Sequence, residues 1–186
     1  MSRPKKLPAR TVERVVELTR EDPAFDSALH DWYDRKIYLS SKVADKSYDD
    51  WLRTIIVELS GNLGIVMRPF NPDPSGIALA LRVNAIGDGL ALDESKRAED
   101  DGFESDANCY VEDGVVSSNV WLRHVDSGKT RARAEEVRAC FSSSGYSVEI
   151  LEDAEDQRGE TVMATIDFPI YASLAVCRKL SKATQK

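Results

Sequence analysis

The side chains of this chain that could do chemistry are few and scattered: two histidines, His30 and His124, and three cysteines, Cys109, Cys140 and Cys177. His30 has Asp26 and Asp34 four residues to either side, a spacing that puts all three on one helix face. Such a face could orient a general base with a carboxylate, but it supplies too few ligands for a metal. Its plain alternative is a solvated charged face. His124 stands close to Asp126, and with Cys140 or with Ser142, Ser143 and Ser144 it could be written as a base and nucleophile set. No GxSxG elbow and no cysteine motif at a helix start accompanies it. Ser142-Ser143-Ser144-Gly145 reads more simply as the loop from a helix end into a strand.

The cysteines are an odd number, far apart and without CxxC spacing, which argues against both a disulfide framework and a four-ligand zinc site. Buried, unreactive thiols are the simpler expectation. Gly61-Asn62-Leu63-Gly64 and Gly87-Asp88-Gly89 lack the spacing that cradles phosphate. They read as a helix end and a hairpin turn. No acidic segment has the ligand order of a calcium loop. The expectation is therefore no cofactor, no metal and no assigned catalytic residue. A small enzyme with His30 or His124 as its base is an alternative.

Charge is segregated along the chain, whose net value is −7. Arg3, Lys5, Lys6 and Arg10 make the start basic, and Arg178, Lys179, Lys182 and Lys186 do the same for the end. Asp88 to Asp113 holds ten acids against Lys96 and Arg97, and Glu149 to Glu160 holds six against Arg158. Acidic loops steer a protein toward basic surfaces. The hydrophobic fraction of 42% beside 31% charged residues is that of an ordinary globular domain. No apolar run approaches the ~20 residues that span a bilayer, and no apolar stretch follows the basic start as a secretory signal would require. A cytoplasmic protein without membrane contact is expected.

The elements that must position these residues follow from periodicity. Residues 1–10 read as a mobile basic arm. Thr11 is a plausible helix cap, and Val12, Val15 and Val16 fall at helical spacing. Asp22-Pro23 starts a second helix with Phe25, Ala28, Leu29, Trp32, Tyr33 and Ile37 on one stripe. A third begins near Ser47 and carries Tyr48, Trp51, Leu52, Ile55, Ile56 and Leu59 as far as Gly61. Beyond it the period changes to two: Ile77, Leu79, Leu81 and Val83 alternate, which predicts a strand, and Gly87-Asp88-Gly89 predicts a hairpin back through Leu90 and Leu92. A further hairpin is expected around Asp113-Gly114.

From about Asn119 the order reads strand, helix (Ala134 to Phe141), strand (Tyr146, Val148, Ile150), strand (Val162 to Phe168) and helix (Ile170 to Leu180). The fold class expected is α+β, with N-terminal helices and then a mainly antiparallel sheet ending in a ferredoxin-like βαββα unit. The domains are a mobile arm over 1–10, a docked helical segment over 11–61, an α+β body over 62–182 and a basic tail end over 183–186. That architecture hosts many functions and transfers no site.

The function expected is a non-enzymatic protein–protein interaction module, an assembly, adaptor or inhibitor protein. It would present the aromatic helices (Trp32, Tyr33, Tyr38, Trp51) and an acidic loop (Glu152, Asp153, Glu155, Asp156) to a partner with a basic surface. A nucleic-acid-binding enzyme is one such partner, and a second copy of the chain is another occupant. The aromatic residues are equally what an internal core looks like. The alternative is a nucleic-acid-associated protein using Arg3, Lys5, Lys6 and Arg10 along phosphates, a weak and salt-sensitive mode of binding.

Overall fold

The computed structural model describes residues 7–62, 73–112 and 115–167. The closing run Ile170 to Leu180, Phe168, Cys177 and the basic residues Arg3, Lys5 and Lys6 lie outside the described residues.

Helix α1 (Ala9–Glu21) follows Pro8 and buries Thr11, Val12, Val15, Val16 and Thr19. It starts ahead of the expected Thr11 cap, and Leu7 before it is already in the core. Helix α2 (Pro23–Leu39) begins as its sequence dictates. Asp22 accepts the Ala24 and Phe25 N–H groups at 3.1 and 3.2 Å, and Pro23 fills a position whose N–H would have no helical acceptor. A short α3 (Ser41–Ala44) leads into α4 (Tyr48–Asn62), where the Ser47 hydroxyl accepts the Asp50 N–H at 3.2 Å.

The expected strand over Ile77 to Val83 and the hairpin at Gly87-Asp88-Gly89 are not there. Residues Pro74–Asp100 form one 27-residue helix, α5, capped by the Asp73 carboxylate on the Ser75 N–H at 3.0 Å. The alternation was coincidental. Leu79, which it requires inside, is 54% exposed, while Ile77, Leu81, Asn84, Ala85, Asp88, Ala91, Ser95 and Ala98 recur at three and four residues and are buried. Alanine-rich sequence favours this state. Gly87 is likewise no turn residue, because it lets α5 touch the sheet. A Cβ there would overlap the Ser118 hydroxyl and stand 2.7 Å from the Tyr146 hydroxyl. By length and composition alone α5 could cross a membrane; half of its most apolar window is buried inside this fold.

The sheet contains β1 (Glu104–Glu112), β2 (Val115–Arg123), β3 (Ser147–Glu152) and β4 (Gly159–Asp167), with α6 (Ser127–Ser143) between β2 and β3. Every pair is antiparallel and the order is β1-β2-β4-β3. The fold is thus α+β, with N-terminal helices, then a four-stranded antiparallel sheet with one interleaved helix. This order does not establish the ferredoxin-like unit. The position beside β2 is taken by β1, which arrives by a hairpin, and the closing helix of that unit falls beyond the described chain.

Among the described residues, the helices that touch the sheet lie on one face. Register puts Cys109 and Val111 of β1, Val116, Ser118, Val120 and Leu122 of β2, and Val162, Ala164 and Ile166 of β4 on that side. One core joins α1, α2, α4, the first half of α5 and Val116 of β2; a second joins the end of α5, α6 and the rest of the sheet. Val83 and Ile166 pack against both.

Candidate interaction surface

The strands' period of two sends the other half of their side chains to the opposite face. Among the described residues no helix packs there, and none of its side chains belongs to either core. Glu104, Asp106, Asn108 and Tyr110 of β1 lie on this face beside Arg123, Trp121, Asn119 and Ser117 of β2. Met163 of β4 and Glu149 and Leu151 of β3 continue it. The centre is polar: Asn119 Nδ2 donates to Asn108 Oδ1 at 3.0 Å, and Ser117 beside them is buried. Tyr110 and Leu151 are exposed.

At one end this face runs into the acidic loop between β3 and β4. Arg123 pairs with Glu104 at 3.0 Å and with Asp156 at 2.5 Å. Trp121 Nε1 donates to Asp153 Oδ2 at 3.4 Å. The loop is built by these same aspartates. Asp153 Oδ1 accepts the Glu155 and Asp156 N–H groups at 2.9 and 3.3 Å, and Asp156 Oδ1 accepts the Arg158 N–H at 3.0 Å. Those backbone donors hold both carboxyls below the ordinary range, the Glu155 N–H foremost for Asp153 and the Arg158 N–H for Asp156, with the Arg123 charge adding to the second. Gly159 sits tight beneath them; a Cβ there would meet the Asp153 side chain at 3.1 Å and Trp121 Nε1 at 3.3 Å. The result is a platform of fixed, ionised carboxylates beside a polar sheet face. It can pair with cations and hydrogen-bond donors.

The partner-binding residues expected from sequence divide sharply. Trp32 and Trp51 are core residues, 5% and 2% exposed, in an edge-to-face pair with centroids 5.2 Å apart. Tyr33 packs on Trp51 and Tyr48. The wall that covers them is α5, whose buried Asp88 accepts the Trp32 indole N–H and pairs with Lys36 at 3.1 Å. Of the four aromatics only Tyr38 is on the surface, 89% exposed. In the acidic loop Glu152 and Glu155 are exposed, while Asp153 and Asp156 are partly buried loop anchors. Arg10 is exposed on α1.

The candidate bases serve local structure. His30 stacks on Tyr48 with ring centroids 3.6 Å apart, and Tyr48 donates to Asp26 at 3.1 Å. His124 Nδ1 accepts the Asp126 N–H at 3.0 Å, folding the turn into α6. Cys140 lies near the far end of α6, about 20 Å of helix from that turn. Both described thiols are held protonated. Burial, foremost, pushes Cys109 up to about 12, and burial followed by the charge of Glu94 raises Cys140. No group of three or more His, Cys, Asp or Glu side chains among the described residues is arranged to hold a metal ion. Between α2 and α5 lies a groove of about 200 Å³, lined by Asp31, Trp32, Arg35 and Ile86 among others, smaller than ordinary ligand pockets. Its cation is already engaged, Arg35 donating to the Gly89 carbonyl at 3.2 Å and pairing with Asp93 at 3.1 Å.

Compared with protein-family models, curated proteins and solved structures, the chain matches none.

Sequence reasoning missed Trp121, Arg123, Glu104 and Tyr110 as a group. The signal was present in β2, where Asn119, Trp121 and Arg123 alternate with Val120 and Leu122. Which strand lies beside it, and hence which acids meet Arg123, is set by pairing between distant segments.

Proposed function

We propose that this chain is a non-enzymatic protein–protein interaction module, an assembly, adaptor or inhibitor protein. It docks on a basic partner through the sheet face on which no described helix packs and through the acidic β3–β4 loop. A single observation carries the reading. On the described part of that surface Arg123 is already held by Glu104 and Asp156, and Arg158 of the loop pairs with Asp156 at 3.5 Å, against the further acids Asp106, Glu149, Glu152, Asp153 and Glu155. The remaining carboxylates are uncompensated, so a basic surface is the complementary one. A nucleic-acid-binding enzyme is one such partner, and a cytoplasmic setting goes with this reading. The finer architecture belongs to it too. β2 and β3 flank β4 and are joined by α6, an order that supports the β-α-β-β part of a ferredoxin-like unit.

The test is kinetic. Glu152 and Glu155 are exposed, and their side chains take no part in holding the loop. Reversing both (Glu152→Lys, Glu155→Lys) leaves the fold intact and slows association with the partner that co-purifies with the tagged chain. The slowing is several-fold at low salt and vanishes near 0.5 M, where the screening length falls to about 4 Å. An unchanged low-salt association rate refutes the reading.

A further inference from the structure

Strand β1 is an edge of the sheet, and no described strand pairs with its outer side. It pairs with β2 one residue to one over all nine positions, without a bulge, and contains neither proline nor lysine. The other edge, β3, has six residues. Natural edges are ordinarily blunted by charged side chains, above all lysine, or by proline, bulges or brevity; β1 has no lysine, proline or bulge, and the charges it carries are acidic, which repel an acidic strand and admit a basic one. It has one guard of its own: Asp106 Oδ1 accepts the Ala107 N–H at 2.8 Å. An N–H taken up by a neighbouring side chain is not engaged with β2. Ala107 and Val120 therefore form a non-hydrogen-bonded pair, and the main-chain groups of Ala107 face outward. By alternation the same holds for Ser105, Cys109 and Val111.

We infer that β1 receives an extended, basic segment of the partner by strand addition, with Glu104 and Asp106 reading arginine or lysine at alternate positions of the incoming strand. The inference rests on the interaction reading above and adds its mode. Side chains directly opposite across an antiparallel pair lie about 5 Å apart, so residues i and i+2 of an added strand meet Glu104 and Asp106. Glu104 keeps 67% of its side chain exposed despite its contact with Arg123, and so can serve a second cation. Exposed Tyr110, further along the same face, offers a ring to another cation. As the strand docks, Asp106 exchanges the Ala107 N–H for the incoming cation, and that N–H passes to the new strand. A second copy is a poor occupant. Antiparallel β1–β1 pairing centred on Asn108 brings together two strands that each present Glu104 and Asp106, and like charges repel.

The experiment titrates the full isotope-labelled chain with three capped octapeptides: alternating arginine and valine, the same peptide N-methylated at every second residue, and alternating glutamate and valine. The plain basic peptide is expected to saturate and to slow hydrogen exchange at Ala107 and Cys109. The N-methylated peptide keeps the charge but cannot complete a ladder, and is expected to bind at least tenfold more weakly. The acidic peptide is expected not to bind. Asp106→Lys, a change at an exposed position, abolishes binding of the basic peptide with an unaltered circular dichroism spectrum. Equal binding of the plain and N-methylated basic peptides overturns strand addition while leaving the acidic-surface reading standing. Failure of the plain basic peptide to bind at low salt overturns the inference outright, and the loop-reversal kinetics then judge the broader reading on their own.

Discussion

Helix α5 carries three glycines whose replacement by alanine separates its packing from its propensity. Gly87 meets the sheet: an added methyl overlaps the Ser118 hydroxyl and presses the Tyr146 hydroxyl, which donates to the Val83 carbonyl at 2.9 Å. Ser118 is fully buried and Tyr146 nearly so, and neither can swing away. Overpacking of this kind costs roughly 1–3 kcal/mol, and loss of the Tyr146 hydrogen bond about 1 kcal/mol more. Alanine in place of glycine returns about 1 kcal/mol of helix propensity. The net expectation for Gly87→Ala is a loss of about 2 kcal/mol, read as a melting temperature lower by about 4–8 °C for a chain of this size. Gly89→Ala is the control. Its methyl would touch only Arg35 Nη1 at 3.7 Å, an ordinary contact, so propensity alone acts and the melting temperature rises by about 2–4 °C. Ser118→Ala added to Gly87→Ala removes the overlapped oxygen and recovers part of the loss. Thermal melts followed by circular dichroism, with urea midpoints alongside, decide the matter. If Gly87→Ala stabilises as much as Gly89→Ala, α5 does not approach β2 as described.

Three further outcomes follow from the core and from its charged margins. Trp51→Ala removes a 2%-exposed indole that packs on Trp32, and is expected to cost about 3–5 kcal/mol in urea titration, while Tyr38→Ser, at an 89%-exposed site, changes stability by less than about 0.5 kcal/mol. Asp22 is held below the ordinary carboxylate value by the Phe25 N–H first and the Arg82 ion pair next. A depressed carboxyl stabilises the fold above its unfolded value and loses that contribution as pH falls through the lower folded one, so Asp22→Ala should lower the melting temperature at pH 7 and narrow its difference from the parent as pH drops below about 4. Glu160 runs the other way. Burial is the main cause that raises its carboxyl, against the charge of Arg131 at 3.6 Å. The native state then binds more protons than the unfolded one just above the ordinary glutamate value, and stability falls as pH rises through that window. Glu160→Gln is expected to raise the melting temperature at pH 7 and to lose the advantage near pH 4, by differential scanning calorimetry.

Residues with short-range instructions settled their own structure. Asp22-Pro23 could only open α2, because the carboxylate and the proline together answer the donors of a first helical turn. The alternations in β2, β3 and β4, and the glycine-ended loop after α6, likewise needed nothing beyond their neighbours. The stretch from Pro74 to Asp100 did not carry such instructions. Ile77, Leu79, Leu81 and Val83 satisfy a strand, and Ile77, Leu81, Asn84, Ala85 and Asp88 satisfy a helix. The choice fell to the helix because Trp32, 56 residues earlier, places its indole N–H on Asp88, and because Ser118 and Tyr146 leave room beside Gly87 for nothing larger than hydrogen. The same non-local burial turned Trp32 and Trp51 inward and left Tyr38 outside. The candidate surface divides along the same line. Its acidity was written in Glu149 to Glu160, since charge is a property of composition. Its shape was not, because the meeting of Trp121 with Asp153 and of Arg123 with Glu104 and Asp156 depends on strand order, and strand order is fixed by which distant segments bury each other's apolar faces.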